Sequence, residues 1–264
     1  PRYLSSAASD VYKRQIFIGS LGRDDFGKKI IEQFNELEVN LDFLQSNNDS
    51  STRVVNVDRD QSGDRFFSGF EPSLHSCFAD EALSMKLIEK ELLNLEKCFL
   101  RTKYLVTGTN VLSSSISAET IFFLLEQAKK SEVKVVIDLN WREVFWDYSI
   151  FSSEISKTQR VNLIKNFLNH AHVLKLAKEE ATLFFEHHNP SIISQQMSKK
   201  PDVIITDGKN PVAWYINGLQ GITETSHSQK IVDTTGAGDA FLSGLISKLI
   251  TSGYPVSYTH LTLP

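Results

Sequence analysis

Cysteine is scarce: Cys77 and Cys98 are the only two in 264 residues. They form neither a CxxC pair nor a metal-ligand spacing, so a disulfide framework and a zinc ribbon fall away and two reduced thiols remain. No apolar run approaches the roughly eighteen residues of a membrane-spanning helix. Lysine and arginine never gather into a stripe, and the formal net charge is −4. Nucleic acid and an anionic membrane are therefore not expected as partners. An acidic chain that binds an anion must do so locally, with backbone amides, a metal ion and a few placed cations. The GxxxxGK[ST] pattern is absent, which excludes a P-loop nucleotidase, and so is GxGxxG, which disfavours a dinucleotide-binding fold. Internal repeats and low-complexity tracts are missing too.

What is present is ordinary globular composition, 41% hydrophobic and 23% charged, enough for one large domain. The two ends stand apart from it. Residues 1–15 (PRYLSSAASDVYKRQ) and the last ten (PVSYTHLTLP) show no strand or helix period. They read as adaptor-like tails or as natural disordered ends, and are set aside in reading the fold. The usable domain is expected to be a single unit over 16–254.

Within it, short apolar runs alternate with amphipathic stretches. Strands are expected at 16–19, 104–108, 133–138, 173–176 and 203–206. Helices are expected at 26–37, 80–98, 117–130, 157–170, 178–186 and 237–250. The alternation argues for an α/β fold with a mostly parallel central sheet and helices on both faces. Two extended runs, 52–57 and 65–70, flank a Ser-Gly-Asp turn and read as a hairpin lid beside that sheet. PVAWYI and GLQGITE read as a second hairpin.

The sharpest feature is VDTTGAGDAFLSG at 232–244. Gly236, Ala237 and Gly238 open an amphipathic helix. The first amides of a helix lack internal partners and point along its positive end, so small residues there make an anion hole. Asp239 sits among them, placed to take a proton from an attacking hydroxyl. The plainer alternative is a glycine-rich turn with a capping Asp. A second candidate group lies in DLNWREVFW at 138–146. Asp138 and Asn140 end a buried strand, where open α/β sheets place ligand groups, and Arg142 is a planar cation suited to a sugar oxygen, carboxylate or phosphate. The aromatics Trp141, Phe145 and Trp146 are expected in the core.

DTTGAGDAF resembles the C-terminal signature of the PfkB, or ribokinase-like, carbohydrate kinases. IGSLGRDDFG at 18–27 is similar to that family's early glycine motif through Gly22, Asp24, Phe26 and Gly27. Thr52 matches the opening of a lid strand, and Gly108 a small residue after a core strand. DLNWREVFW resembles the D-x-N-x-R…W pattern of fructokinases and 2-keto-3-deoxygluconate kinases.

The resemblance implies a ribokinase-like fold and transfer of the γ-phosphate of ATP to a sugar hydroxyl, with fructose as the leading substrate. It makes Asp239 the base, Gly236, Ala237 and Gly238 the anion hole, and Asn140 and Arg142 sugar ligands. Thr206 and Gly208 lie at the nucleotide, and Glu180 organises Mg²⁺ through water, although the family's Asn is Ala177 here and its later glycine is Pro211. Asp233 and Thr235 would hold a monovalent cation such as K⁺. A homodimer through the lid and a cytoplasmic location, or a plastid one, are further expectations. The family's first sugar-binding segment and its last helices are not recognised, so the chain as written is expected to be less active than a completed parent. Competing readings are a 2-keto-3-deoxygluconate kinase, another sugar kinase of the family, and a non-catalytic kinase-like scaffold.

Overall fold

The computed structural model describes residues 15–59, 65–71, 77–147, 156–225 and 236–252. The chain begins with β1 (Ile16–Gly22), α1 (Asp25–Glu36) and β2 (Asn40–Asn47), and β1 pairs with β2 in parallel. β3 (Val55–Arg59) and β4 (Arg65–Phe70) form the expected antiparallel hairpin. After α2 (Met85–Glu89) and α3 (Leu92–Phe99) come β5 (Tyr104–Gly108), α4 (Ser115–Lys130), β6 (Lys134–Asp138), α5 (Glu143–Asp147) and α6 (Lys157–Leu168). The chain continues through β7 (Val173–Ala177), α7 (Lys178–Phe185), α8 (Pro190–Gln196) and β8 (Asp202–Asp207). It ends in the hairpin β9 (Asn210–Ile216) and β10 (Leu219–Thr223), and then α9 (Ala237–Ser252).

Six strands form the central sheet in the order β10-β9-β8-β7-β6-β5. β5 to β8 run parallel, and β9 and β10 add antiparallel. Strand alternation splits the core in two. Val135, Ile137, Leu174, Leu176, Val203 and Ile205 pack under α4, α6, α7 and α8 with Leu124, Phe167, Ala181 and Ile193. Val136, Val173 and Ile204 face the other way, against Phe241, Leu245 and Leu249 of α9. Both strand faces are thus covered, which is why β6, β7 and β8 read as continuous apolar runs.

The short helices α5 and α8 were not expected, and two other regions depart from expectation. The single helix expected at 80–98 is a 3-10 turn (Ala79–Ala82) followed by α2 and α3, with Leu83 and Glu91 outside helical geometry. Ser84 N–H donates to Gln45 Oε1 at 2.8 Å, and this cross-link to β2 interrupts the helical ladder. β2 itself was not expected, because its polar residues on the exposed face mask the alternation around Val39 and Phe43.

The base of the hairpin is a dense node. Gly22 N–H donates to Thr52 Oγ1 at 3.0 Å. Asp24 accepts from Gly27 N–H at 2.8 Å, capping α1, and from Thr52 N–H at 2.6 Å. A Cβ on Gly22 would lie 2.6 Å from both Thr52 N and Asp24 Oδ2, so only glycine fits there. One residue on, the Arg53 guanidinium lies 4.2 Å from the Phe78 ring, 4.6 Å from Phe70 and 5.0 Å from Phe145. It also pairs with Asp80 and Glu81, each at 3.0 Å. The start of the hairpin is therefore locked to the domain by a stacked, ion-paired arginine.

Candidate active site

The strands deliver their C-terminal ends to one place. Asp138 is the last residue of β6, Lys175 lies opposite it in β7, and Ala177 of β7 pairs with Thr206 of β8. Over these ends sits the first turn of α9. Gly236 has φ +78, a left-handed conformation open to glycine, and its carbonyl accepts the N–H of Ala240 at 2.8 Å to begin the helix. Asp239 is in that first turn and exposed.

Lys175 Nζ donates to Asp138 Oδ2 at 3.0 Å, with both side chains almost fully buried. Burial pushes the Asp138 carboxyl up, Lys175 pulls it back, Asp239 pushes it up further and Arg142 opposes that; the balance leaves it above the ordinary aspartate value. These four groups, drawn from β6, the loop after it, β7 and α9, form one electrostatic cluster. Lys175 was not anticipated as a site residue. Its trace in the sequence was a lysine inside the apolar run VLKL, at the strand phase that faces α9.

Glu180 closes the cluster from behind. Ala177 occupies the N-cap position of α7 without a capping side chain, and Glu180 reaches back to accept Ala177 N–H at 2.7 Å. Its other oxygen accepts Trp141 N–H at 2.6 Å. Burial pushes this carboxyl above its usual value against the pull of the two N–H groups. The substitution of Ala177 for Asn thus leaves Glu180 a definite place, anchored on backbone. Among the described residues no group of three or more His, Cys, Asp or Glu side chains gathers to hold a metal.

Asn140 adopts φ +42, which an Asn tolerates in a tight loop. Arg142 Nη1 donates to Trp141 O at 2.8 Å, and its charge is felt at Asp138. Trp146 and Phe145 are buried as expected, with Trp146 5.4 Å from the Trp141 ring. Thr206 Oγ1 donates to Leu176 O at 3.3 Å, and Gly208, at φ +55, turns the chain into β9. Beside it Lys178 Nζ donates to Asp207 Oδ2 at 2.7 Å. Asp233 and Thr235 lie outside the described residues.

Residues 5–259 match the sequence profile of the pfkB family carbohydrate kinases. An ATP-dependent 6-phosphofructokinase from Thermoanaerobacterium thermosaccharolyticum is 27% identical over 251 residues, covering 90% of this chain and 67% of that protein. A fructokinase from Salmonella typhimurium is 26% identical over 251 residues, covering 93% of this chain and 74% of its own. In structure, a fructokinase with bound ATP from Xylella fastidiosa superimposes with a TM-score of 0.73 at 22% identity, over 93% of this chain and 73% of that one. That likeness shows the ribokinase-like fold.

Proposed function

The chain belongs to the pfkB family of carbohydrate kinases and is a phosphotransferase, and from that premise we propose that it uses ATP to phosphorylate a primary hydroxyl of fructose with Asp239 as the base. The observation that carries this reading is the position of Asp239. It stands in the first turn of α9, among amides without internal partners, above the Asp138–Lys175 pair. In the step proposed, Asp239 takes the hydroxyl proton and the freed oxygen forms a bond to the γ-phosphorus. The bond from that phosphorus to the β-bridging oxygen breaks, and ADP leaves with the electron pair. The N–H groups at Gly236, Ala237 and Gly238 face the moving charge. Mg²⁺, when bound, neutralises phosphate charge, with Glu180 reaching it through water. Asn140 and Arg142 hold the sugar, Thr206 and Gly208 flank the nucleotide, and the β3–β4 hairpin covers the reacting groups. A monovalent cation near Asp233 and Thr235, a dimer through the hairpin and a cytoplasmic location belong to the same proposal.

Fructose is favoured by the D-x-N-x-R pattern at 138–142 and by the fructokinase relative. The phosphofructokinase relative makes fructose 6-phosphate the substrate to test beside it. ATP consumption should be measured with both, and with 2-keto-3-deoxygluconate, ribose and adenosine. Turnover with fructose that Asp239→Asn lowers by about 10²–10⁴-fold supports the reading. Near-normal turnover of that variant removes Asp239 from its role, and turnover with another sugar alone replaces fructose.

A further inference from the structure

Buried ion pairs seldom add stability over an apolar pair of similar volume. The Asp138–Lys175 pair is an extreme case: the side chains are 7% and 8% exposed. Asp138 Oδ1 is buried with no hydrogen-bond partner among the described residues. Beside the pair on this strand face, Val136, Val173 and Ile204 pack against α9. The pair lies past this apolar patch, where the strands end and the first turn of α9 begins. A Cβ added to Gly238 would lie 3.3 Å from Lys175 Nζ, so the ammonium is pressed against that turn from within. The outer side of the same turn presents the helix amides that favour an anion.

We propose that Lys175 is the fixed cation of the phosphate seat: held by Asp138 against Gly238, it positions the terminal phosphoryl group of ATP and so favours ATP over ADP. The proposal rests on the reading of the α9 N-terminus as that seat. Lys175 acts on the phosphate through the turn, and its charge is useful only because Asp138 fixes its place. A Cβ at Gly238 would press on the ammonium at 3.3 Å, so glycine at this position leaves Lys175 undisplaced.

The test compares the protein with Lys175→Met and with the double variant Asp138→Leu/Lys175→Met, which removes both buried charges. ATP and ADP affinities are measured by calorimetry without sugar, so that any part Asp138 has in sugar binding does not enter. Thermal unfolding is followed alongside. Lys175→Met is expected to unfold early, because it strands the buried carboxylate. The double variant is expected to regain the parent's midpoint to within a few degrees. It should bind ADP within threefold of the parent and ATP about tenfold more weakly. Equal losses for ATP and ADP, or no loss for either, overturn the proposal and leave the pair a structural feature. A parent that turns over sugar, loses turnover in Asp239→Asn and keeps its ATP preference in the double variant overturns this inference alone. A parent that binds neither nucleotide overturns the kinase reading and this inference with it.

Discussion

The N–H of Trp141 donates to Glu180 Oε1 at 2.6 Å, and this one contact ties the loop carrying Asn140 and Arg142 to the start of α7. The other oxygen of the same carboxylate holds Ala177 N–H, so a single side chain fixes the ends of β6 and β7 relative to each other. In Glu180→Gln one of those N–H groups faces an amide NH₂ and loses its acceptor inside the protein. Stability should fall by about 1–3 kcal/mol, the usual cost of a buried unsatisfied donor. Urea unfolding at pH 7 measures it. An unchanged midpoint would mean that water replaces Glu180 without loss.

The two glycines of the α9 turn are required for different reasons, and alanine at each should separate them. Gly236 has φ +78, yet a Cβ there meets nothing within 4 Å. Gly236→Ala should therefore cost backbone strain alone, about 1–2 kcal/mol, and shift the turn. At Gly238 the added Cβ meets the flexible end of Lys175 at 3.3 Å. Gly238→Ala should leave the unfolding midpoint nearly unchanged while lowering kcat at least tenfold. Thermal unfolding and initial rates on the two variants decide the matter. Equal stability losses would show that the two glycines meet the same constraint.

Much of this was legible in the chain. Alternating apolar strands and amphipathic helices mark the sheet and both its faces, and GAGD marks the opening of α9. What was hidden has a physical cause in each case. Lys175 looked like an interruption in a strand, because the partner that makes it meaningful, Asp138, is 37 residues away. The break between the 3-10 turn (Ala79–Ala82) and α2 involves Gln45, 39 residues from Ser84. Spacing along the chain carries no trace of either long-range contact.

Asp24 should link stability to low pH. Burial pushes its carboxyl up, but the N–H groups of Gly27 and Thr52 outweigh that and hold it below the ordinary 3.8. A carboxyl whose folded pKa is depressed contributes stability that is complete above the unfolded value and lost as pH falls through the folded one. Asp24→Ala should cost about 1–2 kcal/mol at pH 7, as the loss of a helix cap does. That deficit should shrink once the pH falls below 3.8. Chemical unfolding of both proteins across pH 2.5–7, taken in steps of about half a unit, checks it. A deficit constant across the range would assign the loss to packing.

His172 works in the opposite corner of the sheet and in a higher pH window. Its Nδ1 accepts the N–H of Val135 at 3.0 Å, and its own backbone bonds to β6 and to Asp202. Burial, with Lys199 and Lys134 nearby, pushes the imidazole down from 6.5 to about 4. Between those values the unfolded chain binds a proton that the folded protein refuses, so stability rises with pH across the window and is lost on acidification through it. Protonation also turns Nδ1 into a donor and strips Val135 N–H of its acceptor. The full shift would correspond to about 3 kcal/mol, and for a half-buried ring screened by solvent about 2 kcal/mol is expected. His172→Asn keeps an oxygen acceptor near the Nδ1 position and removes the titration. Its unfolding free energy should vary less than the parent's between pH 6.5 and about pH 4, by that amount. Parallel curves for the two proteins would place the acid sensitivity elsewhere, in His170 or the buried carboxyls.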